Sequence, residues 1–361
     1  MNIEGRGRRQ RDFWAVRAAE AFGTVTKEGS VDDYTQTAIG RGMEGLDMEG
    51  SRGGFTDSGC HRLGDRLCDG NEGRHGTFST LVLGDAMVDV YYIGTATRLN
   101  PEAPIPVVKI DKTLRFPGGA ANVAANLQSL GIRVSLRSGE LFYGHGPITK
   151  NRLMVGDTQI ARWDENDQCG SIDLKRIPNE GFDTIVVADY GKGSITPGVI
   201  NVVQRLKRSE FIDKRTVINV FVDTKTDPTP WLTSALVMFP NEREYRQYSK
   251  VYDQFEWVVS KRGARGIALH RFSKVVYEAP SFARFVRSVN GAGDSVMAGF
   301  VFSYLNSQRY LTYTPKGETV HMIFATQYAN AMAAVVVEKP YTATATNEEV
   351  EEVLRRVNEG R

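Results

Sequence analysis

Short apolar runs that end in a polar residue alternate with longer segments of helical spacing from residue 78 onward. STLVLGD (79–85), TIVVAD (184–189), TVINVFVD (216–223), ALVMFPN (235–241) and EWVVS (256–260) each read as a strand buried on both faces. GAANVAANLQSLG (119–131) sets Val123, Leu127 and Leu130 on one helical face. The segment after residue 294 does the same with Val296, Met297, Phe300, Val301 and Tyr304. Strands alternating with helices predict an α/β fold of three layers, with a mostly parallel central sheet and helices on both faces. YYIGTATRLNPEAPIPVVKI (91–110) breaks this rhythm with β-branched and aromatic runs divided by prolines. Proline suits edge strands and irregular turns, so a small β flap is expected at about 91–116.

In parallel sheets, ligands bind beyond the carboxyl ends of the strands. Asp85, Asp189, Asp223, Asn241 and Ser260 fall at those ends and are expected to converge on one edge. The alternative is that each simply caps its own turn.

Composition changes the picture at the N-terminus. Residues 1–76 are rich in Gly, Arg and acidic residues, as in GRGMEGLDMEGSRGGF, and carry little apolar periodicity. Such a segment buries too little surface to offset its ordering entropy and is expected to be disordered, an atypical extension ahead of one domain at 77–358. The net charge of +2 argues against nucleic acid as a partner. No run approaches the ~20 continuous apolar residues of a membrane helix, and the start lacks the apolar core of a secretory signal. Three cysteines (Cys60, Cys68 and Cys169) are too few for a disulfide framework and suit a reducing, cytoplasmic setting. Cys60, His61, Cys68 and His75 match no familiar zinc spacing.

The sharpest chemical signal is Asn290-Gly291-Ala292-Gly293-Asp294 ahead of the helix SVMAGFVFSYL. Glycines permit a tight turn, and the helix start presents free N–H groups with partial positive charge, a cradle for a phosphoryl group. Asp294, in the first turn, is placed to take a proton from an attacking hydroxyl. A plain glycine turn with a capping Asp is the alternative reading.

GAGD before an apolar helix resembles the signature of the ribokinase-like (PfkB-type) carbohydrate kinases. The family's other signature resembles Pro117-Gly118-Gly119-Ala120-Ala121-Asn122-Val123-Ala124, which opens a helix. The resemblance spans about residues 78–358. LVLGDAMVDV with PEAPIPVV, VVADYGKG, FVDTKTD, FPNEREY and YANAMAAVVVEKP narrows it toward the kinase module of bacterial heptose-7-phosphate kinases. The resemblance implies a ribokinase-like fold and phosphorylation of an anomeric hydroxyl by ATP with Mg2+, feeding ADP-heptose and surface-glycan assembly. It implies Asp294 as base and Gly291, Ala292 and Gly293 as anion hole. Sugar contacts would come from Asp89, Gly118, Gly119, Asn122, Asp189 and Asp223. Lys150, Arg152, Arg162, Lys192 and Lys225 would meet the sugar phosphate, or else be solvated surface charges. Asn241, Glu244, Ser260, Gly263, Gly266 and Asn330 would serve the nucleotide, with Glu244 reaching magnesium through water. A homodimer through the flap is also implied.

Two departures stand out. Ser288 and Asn290 replace the family's Asp-x-Thr, which puts monovalent-cation activation in doubt. Near 138–147, about thirty residues, one βαβ step, are missing relative to the family. Activity on another sugar and a non-catalytic sensor or scaffold therefore stand as alternatives to a heptose kinase.

Overall fold

The computed structural model describes residues 78–141, 145–179, 181–208, 218–307 and 315–360. The expected N-terminal disorder and the Cys60–His75 group lie outside the described residues.

Among the described residues, eight strands form the main sheet: β1 (Ser79–Gly84), β4 (Arg133–Arg137), β7 (Thr184–Asp189), β8 (Asn219–Thr224), β9 (Val237–Met238), β10 (Trp257–Lys261), β11 (Ile267–Arg271) and β12 (Lys274–Ala279). Their order is β12-β11-β10-β9-β8-β7-β1-β4. The stretch from β4 to β10 is parallel, and β11 and β12 close one side antiparallel. Alternate residues serve opposite layers, as the period of two requires. Val82, Val186, Phe221, Trp257 and Val259 pack in the core cluster that also holds α1 (Ala120–Ser129), α5 (Ala292–Ser307), α6 (Pro315–Glu338) and α7 (Asn347–Glu359). Leu81, Leu83, Val187, Val222 and Val258 face the other layer, built on α2 (Pro197–Arg208), α3 (Glu242–Gln247) and α4 (Ser249–Tyr252). The three-layer α/β expectation holds.

Within α6, Gly317–Glu338 is apolar and long enough to cross a bilayer, yet most of it is buried. Met322, Ala325 and Met332 are inaccessible to solvent, and the helix packs between α5 and α7. It is a core helix of this fold.

The flap is larger than the sequence suggested. Its hairpin runs through β2 (Ala86–Asn100) and β3 (Ala103–Gly119), beyond 91–116 at both ends. It gains β5 (Ile148–Val155) and β6 (Thr158–Glu165), giving the order β3-β2-β5-β6. The charged segment around Lys150 and Arg152 is thus a flap strand, with Asp89 level with Lys150 and Tyr91 level with Arg152. β4 forms one edge of the main sheet, and the next described strand along the chain is β5 of the flap.

Asp85 joins the two sheets. Its backbone N–H donates to Ala188, and its carbonyl accepts from Ala120 at the start of α1. Its fully buried carboxylate accepts from the backbone N–H groups of Tyr190 (2.7 Å), Ser194 (3.0 Å) and Lys192 (3.2 Å). The Asp85 carboxylate thus caps the turn after β7 and not its own. Gly119 completes the junction at φ 56°, where an added Cβ would lie 2.4 Å from the Asp85 carbonyl oxygen.

Candidate active site

Asp294 sits in the first turn of α5, only 6% exposed. Asn122, in the first turn of α1, donates from Nδ2 to its Oδ2 at 2.7 Å. The amide's orientation is fixed because Asn126 Nδ2 donates to Asn122 Oδ1 at 3.0 Å, leaving the Asn122 NH2 group to face Asp294. The Tyr190 hydroxyl donates to the other carboxylate oxygen, Oδ1. Burial raises the Asp294 carboxyl above the usual carboxylate range, while the Tyr190 and Asn122 bonds pull the other way. Burial also pushes the Tyr190 phenol well above its ordinary value, with the Asp294 charge adding to it, so Tyr190 is a neutral donor. Gly291 turns at φ 77°, and an added Cβ would meet Asn122 Nδ2 at 2.5 Å. With Ala292 and Gly293 it lays the backbone at the helix N-terminus.

A charge cluster borders this cradle. Asp223, at the end of β8, pairs with Lys225 at 2.9 Å and Lys261 at 2.5 Å. Lys225 also meets Glu244 at 2.9 Å. Burial opposes the charge on Asp223, yet the two ammonium groups hold its carboxyl below the ordinary value. Burial disfavours charge on Lys225 too, but Asp223 and Glu244 hold its pKa above the usual lysine range. Burial lowers Lys261 despite Asp223. The Lys261 ammonium lies 3.5 Å from where a Cβ on Gly293 would stand.

On the sugar side implied by the motifs, Asp89 accepts from Arg152 Nη1 (2.7 Å) and Thr342 Oγ1 (3.0 Å). Arg152 Nη2 donates to Asn290 Oδ1 at 3.3 Å, and Asn290 Nδ2 donates to the Tyr91 hydroxyl at 2.9 Å. Tyr91 and Thr342 share a 3.0 Å hydrogen bond, which closes the ring. Gly118 lies against this ring, where an added Cβ would come within 3.1 Å of Asp89 Oδ2. Lys150 and Lys225 stand over the Tyr190 ring, 5.0 and 5.6 Å from its centroid. Burial lowers the Lys150 pKa.

The structure thus brings together Asp294, Gly291, Ala292, Gly293, Asn122, Gly118, Gly119, Asp89, Lys150, Arg152, Asp223 and Lys225. The remaining candidates are held by local partners, and of these Glu244 also reaches the charge cluster through Lys225. Arg162 is exposed on β6 and forks onto Asp164. Lys192 pairs with Asp167 at 2.5 Å. Asp189 holds its own turn through Thr224 (2.6 Å), Thr226 (2.9 Å) and the Gly191 N–H (2.9 Å). Asn241 and Glu244 form the reciprocal capping box of α3. The Ser260 hydroxyl shares a 2.9 Å hydrogen bond with His270 Nε2. Gly263 and Gly266 shape the turn between β10 and β11 at φ 58° and 83°. Asn330 donates to the Pro280 carbonyl at 2.7 Å. Sequence reasoning missed Tyr190, Lys261, Tyr91 and Thr342 as site residues, although ADYGKG and SKRGARG contain the first two.

Residues 209–349 match the family model described as pfkB family carbohydrate kinase. Among curated proteins, the chain is 28% identical over 319 residues to the "Bifunctional protein HldE" of Actinobacillus succinogenes, covering 76% of this chain and 63% of that one. It is 31% identical over 317 residues to the protein of the same name from Campylobacter jejuni subsp. doylei, covering 76% and 64%. The chain therefore spans slightly under two thirds of the length of these relatives. Among solved structures, Arabidopsis thaliana ribokinase complexed with ribose and ATP superposes with a TM-score of 0.58 at 14% identity, covering 78% of this chain and 99% of that one. Phosphofructokinase-2 from Escherichia coli gives 0.56 at 11% identity, covering 78% and 100%. This chain therefore carries the ribokinase-like fold, and over residues 209–349 it is similar to the pfkB family of carbohydrate kinases.

Proposed function

We propose that this chain transfers the γ-phosphoryl group of ATP to a hydroxyl of a phosphorylated sugar, with heptose 7-phosphate as the substrate its motifs favour. The observation that carries this reading is Asp294 at the start of α5, held on both carboxylate oxygens and flanked by Gly291–Gly293. In the reaction, the sugar oxygen attacks phosphorus, its proton passes to Asp294, and the bond from the γ-phosphorus to the bridging oxygen breaks to release ADP. Asp294 displaces no water-stabilised charge, because it is already buried and oriented. Asp89 with Arg152 would meet sugar hydroxyls, and the ammonium groups of Lys150 and Lys225 supply cations for a sugar phosphate.

ATP enters as its magnesium complex, and the residues do not fit a direct protein–magnesium bond. Glu244 already accepts from Asn241 N–H (2.8 Å), the Asn241 amide (2.5 Å) and Lys225 (2.9 Å). Asp223 is spanned by two lysines. No group of three or more His, Cys, Asp or Glu is placed to hold a metal among the described residues. The ion is accordingly treated as part of the nucleotide substrate.

The flap's exposed Leu99, Ile105, Ile110, Ile160 and Trp163 support pairing of two copies through this sheet.

The test is ADP release from Mg-ATP with and without heptose 7-phosphate. Sugar-dependent release is expected, falling by about 10²–10⁴-fold in Asp294→Asn. Release that ignores the sugar, or survives the substitution, rejects the reading. Release with a different sugar phosphate, but not this one, moves the substrate and keeps the kinase.

A further inference from the structure

We propose that Lys261 is a further catalytic residue of this chain, its ammonium holding the charge of the transferring phosphoryl group beside Gly293. This rests on the kinase reading above.

Lys261 is the last residue of β10. Alternation along that strand sends its side chain to the same layer as Trp257 and Val259, the layer that contains α5. Its Nζ reaches within 3.5 Å of the Cβ locus of Gly293. Any larger residue at 293 would fill the space that the ammonium faces. Asp294 feels the same charge, which favours its ionised form.

The ammonium is fixed and has capacity to spare. Its side chain is 11% exposed, and Asp223 at 2.5 Å is its one ion-pair partner among the described residues. An ammonium carries three donors, so two remain for phosphoryl oxygens. Lys225 differs, since Asp223 and Glu244 both hold it. Asp223 thus acts as the anchor that aims Lys261 at the cradle. A desolvated, pre-oriented cation is worth far more to developing charge than one in water, because no solvent must reorganise. The carboxylates that might have taken an ion here are already neutralised by lysines, so at this spot the protein's positive charge is ammonium.

The test uses the full chain with Mg-ATP, Mg-ADP and heptose 7-phosphate. Calorimetry gives the ratio of the Mg-ADP to the Mg-ATP dissociation constant, which reads the γ-phosphoryl contact without any sugar. In Lys261→Met this ratio is expected to fall about tenfold, with Mg-ADP affinity held within about twofold. In turnover, kcat is expected to drop about 10²–10³-fold while KM for the sugar stays nearly constant, and Lys261→Arg should recover part of the loss. Lys261→Met leaves Asp223 with one partner, so Asp223→Asn/Lys261→Met serves as the folded control, and it should remain slow. An unchanged binding ratio in Lys261→Met, or near wild-type kcat in the double variant, overturns the inference. Wild-type protein that ignores the sugar sinks the kinase reading instead, and the binding ratio still decides the role of Lys261.

Discussion

The Nδ2 of Asn122 donates to Oδ2 of Asp294 at 2.7 Å across 172 residues of sequence. This bond ties the first turn of α1, opened by the Gly118-Gly119 pair, to the first turn of α5. The helix that borders the proposed sugar side and the helix that carries the proposed base are therefore set against each other by one buried amide. Gly291 makes the approach possible, since an added Cβ would stand 2.5 Å from that nitrogen. Gly291→Ala is expected to push Asn122 off the carboxylate and strain a residue at φ 77°. Turnover should fall about 10²-fold or more, with ATP affinity less affected, as checked by steady-state kinetics alongside calorimetry.

Tyr190 offers a pH test. Its hydroxyl donates to Asp294 and so favours the ionised base. A base that must be ionised loses activity as pH falls through its pKa. Burial has already raised that pKa above the usual carboxylate range. Removing the donor in Tyr190→Phe raises it further, so the acidic limb of kcat/KM should move to higher pH. An unmoved limb would show that Tyr190 only fills space.

The pair formed by Asp89 and Arg152 is buried on both sides, with side-chain exposures of 8% and 6%. Removing one member of such a pair strands the other charge, at a cost on the order of 3 kcal/mol. Arg152→Met should show this loss in urea unfolding. Asp89→Asn/Arg152→Met should recover much of it, while binding of the sugar phosphate stays weak in both.

His321 gives a stability window. Burial lowers its pKa to about 4, from an ordinary 6.5. Between those values the unfolded chain binds more protons than the folded one, so stability is lost as pH falls from about 6.5 toward 4. The loss attributable to His321 is at most about 2 kcal/mol after solvent screening. Urea unfolding of His321→Gln across that range should show a shallower pH slope than the wild type.

Pairing through the flap predicts that Leu99→Lys with Ile160→Lys converts a dimer to a monomer in analytical ultracentrifugation. A monomeric wild type removes that part of the proposal.

The architecture was legible because strands such as Ser79–Gly84 and Thr184–Asp189 are apolar on both faces, which only a covered parallel sheet satisfies. The cradle at Asp294 was legible because few sequences place two glycines and an acid before an apolar helix. Other features depend on which way a side chain turns. Ser260 and Lys261 are adjacent on one strand, so they face opposite layers, and a motif quoted whole does not say which one meets the cradle. Tyr190 was hidden for a different reason. Its role follows from the backbone of residues 190–194 being gathered onto Asp85, a contact spanning more than a hundred positions. The flap was underestimated because β6 is exposed along its whole length and gives no apolar alternation to read.

Asp85 has one more consequence. It is the single residue between β1 and β2, so it is the pivot on which the flap leaves the main sheet. Its carboxylate also grips the amides that set Tyr190 on Asp294. Hinge and latch are therefore one residue. The position from which the flap departs and the loop that dresses Asp294 are thereby set by the same side chain and backbone.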